Sequence, residues 1–161
     1  MLAGCASAPS QTAAPAPEPI STAALIAAIR AAGAHDGSVV NVVPLRPPGV
    51  QALLDHARAD EDAGHWHAAA TALDQALALD PRAPDVLQDR AEAAVALARW
   101  AQAETLAQRS WTLGPRVGAL CARNWQTVLE MRRLTGVGKG NGVAQARAAL
   151  AACKVSGPAR M

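Results

Sequence analysis

Residues 50–81 read VQALLDHARADEDAGHWHAAATALDQALALDP, and residues 84–115, thirty-four positions later, read PDVLQDRAEAAVALARWAQAETLAQRSWTLGP. The two stretches share nine identical positions, among them Trp66 with Trp100 and Pro81 with Pro115. Apolar residues recur within each stretch at spacings of three and four, which places them on one face of a helix. A pattern that repeats at a fixed period predicts similar units that stack to share a core.

The period and the residues that define it resemble the tetratricopeptide repeat, in which each unit is a pair of antiparallel helices. The resemblance implies that Gly64 and Ala98 lie at the turn within each unit. It also implies that Ala69 and Ala103 lie where two helices approach closely. A third, less regular unit follows, with helical patterns over residues 118–134 and 143–153 and a glycine-rich break between them.

The composition favours an all-α protein. Alanine is abundant, and the chain has no Phe and no Tyr. Alanine is the best helix former, whereas aromatic residues are enriched in strands. Together with this all-α composition, the resemblance implies a short α-solenoid of antiparallel helix hairpins, with two clear repeats, a degenerate third and a flexible N-terminal tether.

The N-terminal residues resemble a membrane-anchoring signal. The sequence Leu2-Ala3-Gly4-Cys5 resembles the lipobox of bacterial lipoproteins, in which the cysteine is lipidated after cleavage. This resemblance implies a longer precursor with a signal peptide and a mature protein anchored at the periplasmic face of the outer membrane. A run rich in Ala and Pro follows and is typical of an extended linker. If Met1 is instead the true start, the protein is a cytoplasmic scaffold.

The chain thus divides into four parts. Residues 1–19 are a lipobox remnant and a linker, and residues 20–47 form a short helix and an extended segment that cover the first repeat. Ser21 or Thr22 is suited to cap that helix. Residues 48–155 are the helical domain, and residues 156–161 are a tail.

The third unit contains two cysteines, one near the beginning of its sequence and one near the end. Cys121 falls near the start of the first helix and Cys153 near the end of the second, so an antiparallel arrangement brings them side by side. In an oxidising compartment we expect a disulfide between them. The alternative is a pair of buried thiols that act as small apolar side chains.

Other site types have little support in the sequence. The net charge of +2 gives no basis for nucleic-acid binding. His65 and His67 are two apart on a helix, so they make a poor chelating pair, and the sequence predicts no metal. The glycines around Lys139 lack the Ser or Thr of a phosphate-binding loop. We see no catalytic constellation and expect no cofactor and no enzymatic activity.

The resemblance implies a concave, protein-binding groove lined by the first helix of each unit. Its predicted lining residues are Gln51, Leu54, Arg58, Glu61, Asp85, Gln88, Glu92, Ala122 and Gln126. A short groove of mixed charge suits a helix or an extended peptide of a protein partner.

The sequence therefore predicts an envelope-tethered adaptor or assembly factor that binds another protein. Outer-membrane assembly, pilus biogenesis and cell-wall machinery are equally compatible with it. The alternative is a structural or accessory lipoprotein whose repeats self-associate into a homo-oligomer.

Overall fold

The computed structural model describes residues 21–34, 45–136 and 140–154, and the regular secondary structure within these ranges is helical. The helices are α1 (Thr22–Ala34), α2 (Pro48–Asp62), α3 (Trp66–Leu79), α4 (Pro84–Ala96), α5 (Trp100–Leu113), α6 (Ala119–Thr135) and α7 (Asn141–Ala152). The predicted lipobox, linker, extended segment at 39–44 and tail lie outside the described residues.

The predicted fold class is confirmed. Helices α3 and α5 both begin at a tryptophan and end at a leucine, thirty-four residues apart, as the sequence period requires. The pairs α2–α3, α4–α5 and α6–α7 pack as hairpins, and α3–α4 and α5–α6 contacts stack one hairpin on the next. Each hairpin thereby buries an apolar face that it cannot cover alone.

The turn within each of the first two hairpins uses the same backbone conformation. Gly64 has φ +75° and Ala98, thirty-four residues later, has φ +55°. This left-handed region suits glycine and is unfavourable for residues with a Cβ. Ala98 therefore adopts a strained conformation that the repeat geometry imposes.

Alanine sets the close spacing of the helices. Ala69 and Ala103 are completely buried, as are Ala76 and Ala107 on the same helices. A methyl side chain lets neighbouring backbones approach closely at these positions, while larger aliphatic side chains fill the rest of the core. Trp66 and Trp100, which open α3 and α5, pack against this core while partly exposed.

Helix α1 begins as predicted, because the Ser21 hydroxyl accepts a hydrogen bond from the backbone N–H of Ala24 at 3.3 Å. The expectation that it covers the first repeat is wrong. It packs mainly against α6 and also against α4, the first helices of the third and second units. Ile26 and Ile29 lie in one core cluster with Met131 of α6. The apolar surface between α4 and α6 therefore holds α1.

None of the helices within the described ranges combines the length and the apolar character needed to cross a membrane.

Candidate partner-binding site

An open cavity of about 480 Å³ is bounded by α1, α2, α4 and α6, with one floor residue from α3. Its floor is apolar and its walls are charged. The floor residues are Leu54, Ala57 and Leu73, and the charged residues are Arg30, Arg58, Glu61, Asp62, Asp89 and Arg123. Gly33, Ala34 and Ala119 complete the rim with small side chains.

A buried carboxylate joins the helices behind the cavity. The side chain of Glu92 on α4 is completely buried. Its Oε2 accepts a hydrogen bond from Arg30 Nε of α1 at 2.7 Å, and its Oε1 accepts one from Arg123 Nη2 of α6 at 2.6 Å. Charge-assisted hydrogen bonds to guanidinium groups compensate the cost of burying a carboxylate. Glu92 thus holds α1 and α6 on α4.

Each arginine also reaches a second carboxylate at the cavity wall. Arg30 Nη2 donates to Glu61 Oε2 of α2 at 2.6 Å. Arg123 Nη2 donates to Asp89 Oδ1 of α4 at 2.7 Å. We call these five residues, Arg30, Glu61, Asp89, Glu92 and Arg123, the charge network.

The network changes the proton affinities of its members. Burial raises the pKa of Glu61, and the charges of Asp89 and Glu92 raise it further, while Arg30 opposes the shift. Burial also raises the pKa of Asp89, against the opposing charge of Arg123. Burial lowers the pKa of Arg123, but the carboxylates of Glu92 and Asp89 outweigh this effect and hold the pKa well above its usual value. The guanidinium groups therefore remain charged.

Three of the predicted groove residues lie at this cavity. Leu54 is in its floor, and Arg58 and Glu61 are in its wall. The side chain of Arg58 is largely exposed and makes a hydrogen bond to Asp55 at 3.2 Å. Whether these three residues bind a partner stays a prediction.

Other predicted groove residues are in different surroundings. Gln88, Glu92 and Ala122 are buried, so they do not line an open groove. Gln88 donates hydrogen bonds to Glu92 and to Thr127, next to the surface that α1 covers. The prediction of an exposed groove at these three residues is wrong because α1 packs against α4 and α6.

The remaining three predicted residues have partners outside the cavity. Gln51 donates to Asp55, Asp85 pairs with Arg46, and Gln126 donates to Glu130. None of the three lines the cavity. The structure therefore does not bring the nine residues together in one surface.

Sequence reasoning missed Arg30, Asp89 and Arg123 as site residues. One signal was available, because Arg30 is the only charged residue of α1. A single arginine on an otherwise apolar helix indicates a carboxylate partner. The sequence does not identify that partner, since Glu92 is 62 residues away.

A disulfide joins Cys121 and Cys153, with their Cα atoms 5.5 Å apart, so the structure brings together the two predicted residues. Next to it, the rings of Trp111 and Trp125 meet edge to face with centroids 5.1 Å apart. The Arg116 guanidinium lies 3.8 Å from the centroid of the Trp111 ring. The bond fixes the end of α7 to the start of α6.

The described part of the chain contains no group of three or more His, Cys, Asp or Glu side chains arranged to hold a metal ion. His65 and His67 are both exposed.

The fold and the cavity define a small helical-repeat domain that presents a charged concavity beside its N-terminal helix. The structure resembles that of the globular C-terminal domain of P. aeruginosa LpoP, with 28% sequence identity and a TM-score of 0.56. The likeness covers 64% of this chain and 99% of the LpoP domain. No family model and no curated protein sequence matches the chain.

Proposed function

We propose that this chain is a non-enzymatic, protein-binding module of the bacterial envelope, held at the periplasmic face of the outer membrane by a lipid on Cys5. The open charged cavity of a helical-repeat domain is the observation that carries the proposal. Such a concavity suits a peptide segment of another protein. The likeness to the LpoP domain supports an envelope role.

The partner that we propose is a peptidoglycan synthase. The sequence leaves outer-membrane assembly, pilus biogenesis and cell-wall machinery open. The likeness to the LpoP domain favours the last of these. The chain would act as an adaptor that binds the periplasmic part of the synthase.

A binding measurement tests the partner. The 161-residue chain is titrated by biolayer interferometry against purified periplasmic regions of the peptidoglycan synthases of its own organism, and against assembly and pilus proteins. We expect saturable binding to one synthase. Binding only to an assembly or pilus protein would overturn the choice of partner, and a homodimer without hetero-binding would favour self-association.

Matched variants test the location of the site. Ala34 is exposed at the cavity rim, and Ala144 is exposed on α7, away from the cavity. We expect Ala34→Trp to weaken binding by tenfold or more, because the indole ring covers the opening. Ala144→Trp should bind as the wild type does. Equal effects of the two substitutions would exclude the cavity as the binding site.

The anchor is tested separately by the intact mass of the protein purified from its own cells. A mass that begins at a lipidated Cys5 would support attachment to the envelope. A mass that begins at unmodified Met1 would contradict the anchor and favour a cytoplasmic scaffold.

A further inference from the structure

Most arginines of the described residues pair with a carboxylate, but five do not. Twelve arginines lie within these ranges, and seven of them form ion pairs. The other five are exposed, namely Arg82, Arg99, Arg109, Arg116 and Arg147. Three of these, Arg82, Arg109 and Arg116, lie in or beside the loops that join one repeat unit to the next.

Two contacts place these three arginines on one surface. Arg109 Nη2 donates a hydrogen bond to the carbonyl oxygen of Pro81, the residue before Arg82, at 3.0 Å. Gly114, two residues before Arg116, lies so close to the first residue of α4 that a Cβ atom at Gly114 would be 3.0 Å from the Cβ of that residue. The loop after α3 and the loop after α5 therefore lie side by side.

The contacts of these arginines leave their positive charges uncompensated. The partner of Arg109 is a neutral carbonyl group. Arg116 donates to the carbonyl oxygen of Thr112 at 3.4 Å, and its guanidinium lies over the ring of Trp111. The side chain of Arg82 forms no hydrogen bond or ion pair with the described residues.

The described acidic residues at this edge of the domain do not cancel these charges. Asp85 is already paired with Arg46, which leaves Asp80. Lys154 is exposed and follows the residue whose carbonyl oxygen accepts a hydrogen bond from the N–H of Gly118 at 2.8 Å. The three arginines and this lysine, set against one aspartate, give a net charge of about three positive units.

Exposed apolar side chains flank the arginines. Leu79, the last residue of α3, is 63% exposed, and Val117, next to Arg116, is 50% exposed. Arginine is enriched at protein interfaces, where its guanidinium group pairs with carboxylates in a bidentate geometry. We call Leu79, Arg82, Arg109, Arg116 and Val117 the basic edge.

The basic edge lies at the end of the domain that is opposite to the start of α1. Helix α1 runs antiparallel to α6, because Gly33 lies against Ala119 while Ile26 shares a core cluster with Met131. The end of α1 is therefore near the start of α6 and the basic edge, and the start of α1 is at the other end. A membrane anchor that precedes α1 leaves the basic edge facing away from that membrane, which favours a protein over the anchoring lipid surface as its occupant.

We propose that the basic edge binds an acidic segment of a partner protein. Asp or Glu side chains of this segment pair with the three guanidinium groups, and an apolar residue contacts Leu79 or Val117. None of the residues of the basic edge lines the cavity, so this is a second binding surface. The inference rests on the proposed function only in taking the partner to be a protein and the anchor to precede α1.

The test uses three short peptides as probes: acetyl-Leu-Glu-Glu-Leu-Glu-Glu-amide, its glutamine counterpart and its lysine counterpart. Each is titrated into the ¹⁵N-labelled 161-residue chain and followed by NMR. We expect the glutamate peptide to shift the amide signals of Leu79, Arg82 and Val117, and to bind about threefold or more tightly than the glutamine peptide. The lysine peptide should bind most weakly, and added salt should reduce the preference for glutamate.

Two double variants of equal charge test the location. Arg82→Gln with Arg116→Gln should weaken binding of the glutamate peptide about threefold or more. Arg99→Gln with Arg147→Gln removes two exposed, unpaired arginines elsewhere and should leave binding unchanged. Amide signals away from the edge report whether each variant is folded. Arg82→Gln alone removes no hydrogen bond or ion pair of that side chain among the described residues, and it should weaken binding in the same direction.

Equal binding of the glutamate and glutamine peptides, equal effects of the two double variants, or signal shifts confined to other surfaces would overturn the inference. Two further measurements identify another occupant. Binding to vesicles of phosphatidylcholine and phosphatidylglycerol that needs Arg82 and Arg116, without a peptide preference, would assign the edge to a lipid surface. A dimer in analytical ultracentrifugation that needs the same two arginines would assign it to a second copy of the chain.

The synthase binding measurement, made on the same protein samples, separates this inference from the proposed function. If a synthase binds but the peptides show no charge preference, only the inference about the basic edge fails. If the preference for glutamate is present but no synthase binds, the choice of partner fails and the acidic-segment site remains supported.

Discussion

Arg123 donates two hydrogen bonds to the same oxygen of Glu92, from Nε at 2.8 Å and from Nη2 at 2.6 Å. The carboxylate has no exposed surface, and its other oxygen is bound by Arg30 of α1. Because several donors converge on this buried carboxylate, the packing of α1 and α6 on α4 depends on the side chain of Glu92.

Glu92→Ala should lower the free energy of unfolding by about 3–5 kcal/mol, because it leaves two guanidinium groups without their shared carboxylate. Urea unfolding followed by circular dichroism measures the change. Asp55→Ala is the control, since its ion pair with Arg58 is exposed and should contribute at most about 1 kcal/mol. Equal losses in the two variants would contradict the structural role of Glu92.

Gly33→Ala should destabilise the packing of α1 on α6 by about 1–3 kcal/mol. A Cβ atom at Gly33 would lie 2.8 Å from Arg123 Cγ and 3.1 Å from the Ala119 carbonyl oxygen. Gly49→Ala is the matched control, because its Cβ would meet open space. Chemical denaturation of both variants should show a loss only for Gly33→Ala, and a neutral result there would mean that α1 is not held closely against α6.

The turn positions Gly64 and Ala98 provide a pair of opposite substitutions. Ala98→Gly should stabilise the protein by up to about 1 kcal/mol, because glycine relieves the strain of a positive φ. Gly64→Ala should destabilise it by about 1–2 kcal/mol, although a Cβ there would meet no neighbouring atom. Thermal unfolding measures both changes, and shifts of the same sign would show that the two turns are not equivalent.

Removing the disulfide should lower the free energy of unfolding by about 2–4 kcal/mol, because the closed loop of 32 residues no longer restricts the unfolded chain. Urea unfolding with and without a reductant measures this effect. The double variant Cys121→Ala, Cys153→Ala should be insensitive to the reductant and similar in stability to the reduced wild type. A wild-type protein unaffected by reduction would indicate free thiols.

The raised pKa values of Glu61 and Asp89 predict a pH dependence with a definite sign. Because the folded pKa exceeds the unfolded one, the folded protein binds more protons between the two values, and stability falls as pH rises through that interval. The interval begins near the ordinary carboxyl pKa of about 4 and extends up to the raised folded values.

The measurement for this prediction is the free energy of unfolding from pH 4 to pH 7, for the wild type and for Asp89→Asn. The substitution removes the contribution of Asp89, so the decline with rising pH should be smaller in the variant. Asp55→Asn reports the effect of removing one exposed negative charge. A decline of the same size in Asp89→Asn and in the wild type would contradict the prediction.

The repeat was predictable from sequence because its signals are local. Trp66 and Trp100 begin equivalent helices, and the turns at Gly64 and Ala98 follow from the same register. The proximity of the third-unit cysteines was predictable for a related reason, since a hairpin places its two ends together. Each of these inferences needed only helix periodicity and the length of one unit.

The position of α1 was not predictable in this way. Its apolar residues, Ile26 and Ile29, are compatible with many apolar surfaces, so periodicity predicts a helix without predicting its neighbour. The choice depends on the contact between Arg30 and Glu92, which are 62 residues apart. The predicted groove differs from the observed site for the same reason. The groove was inferred from α2, α4 and α6 alone, whereas α1 occupies part of that surface.

The packing of α1 on α6 also has a consequence for the order of folding. Repeat arrays that contact only their neighbours are able to fold progressively while the chain is being synthesised. In this chain α1 precedes the repeats and shares its core cluster with Met131 of α6, so α1 has no complete binding surface until the chain up to α6 is available to fold. The last steps of folding therefore include the docking of α1 on a part of the chain that is distant in sequence. Such a long-range contact slows folding relative to the stacking of neighbouring hairpins.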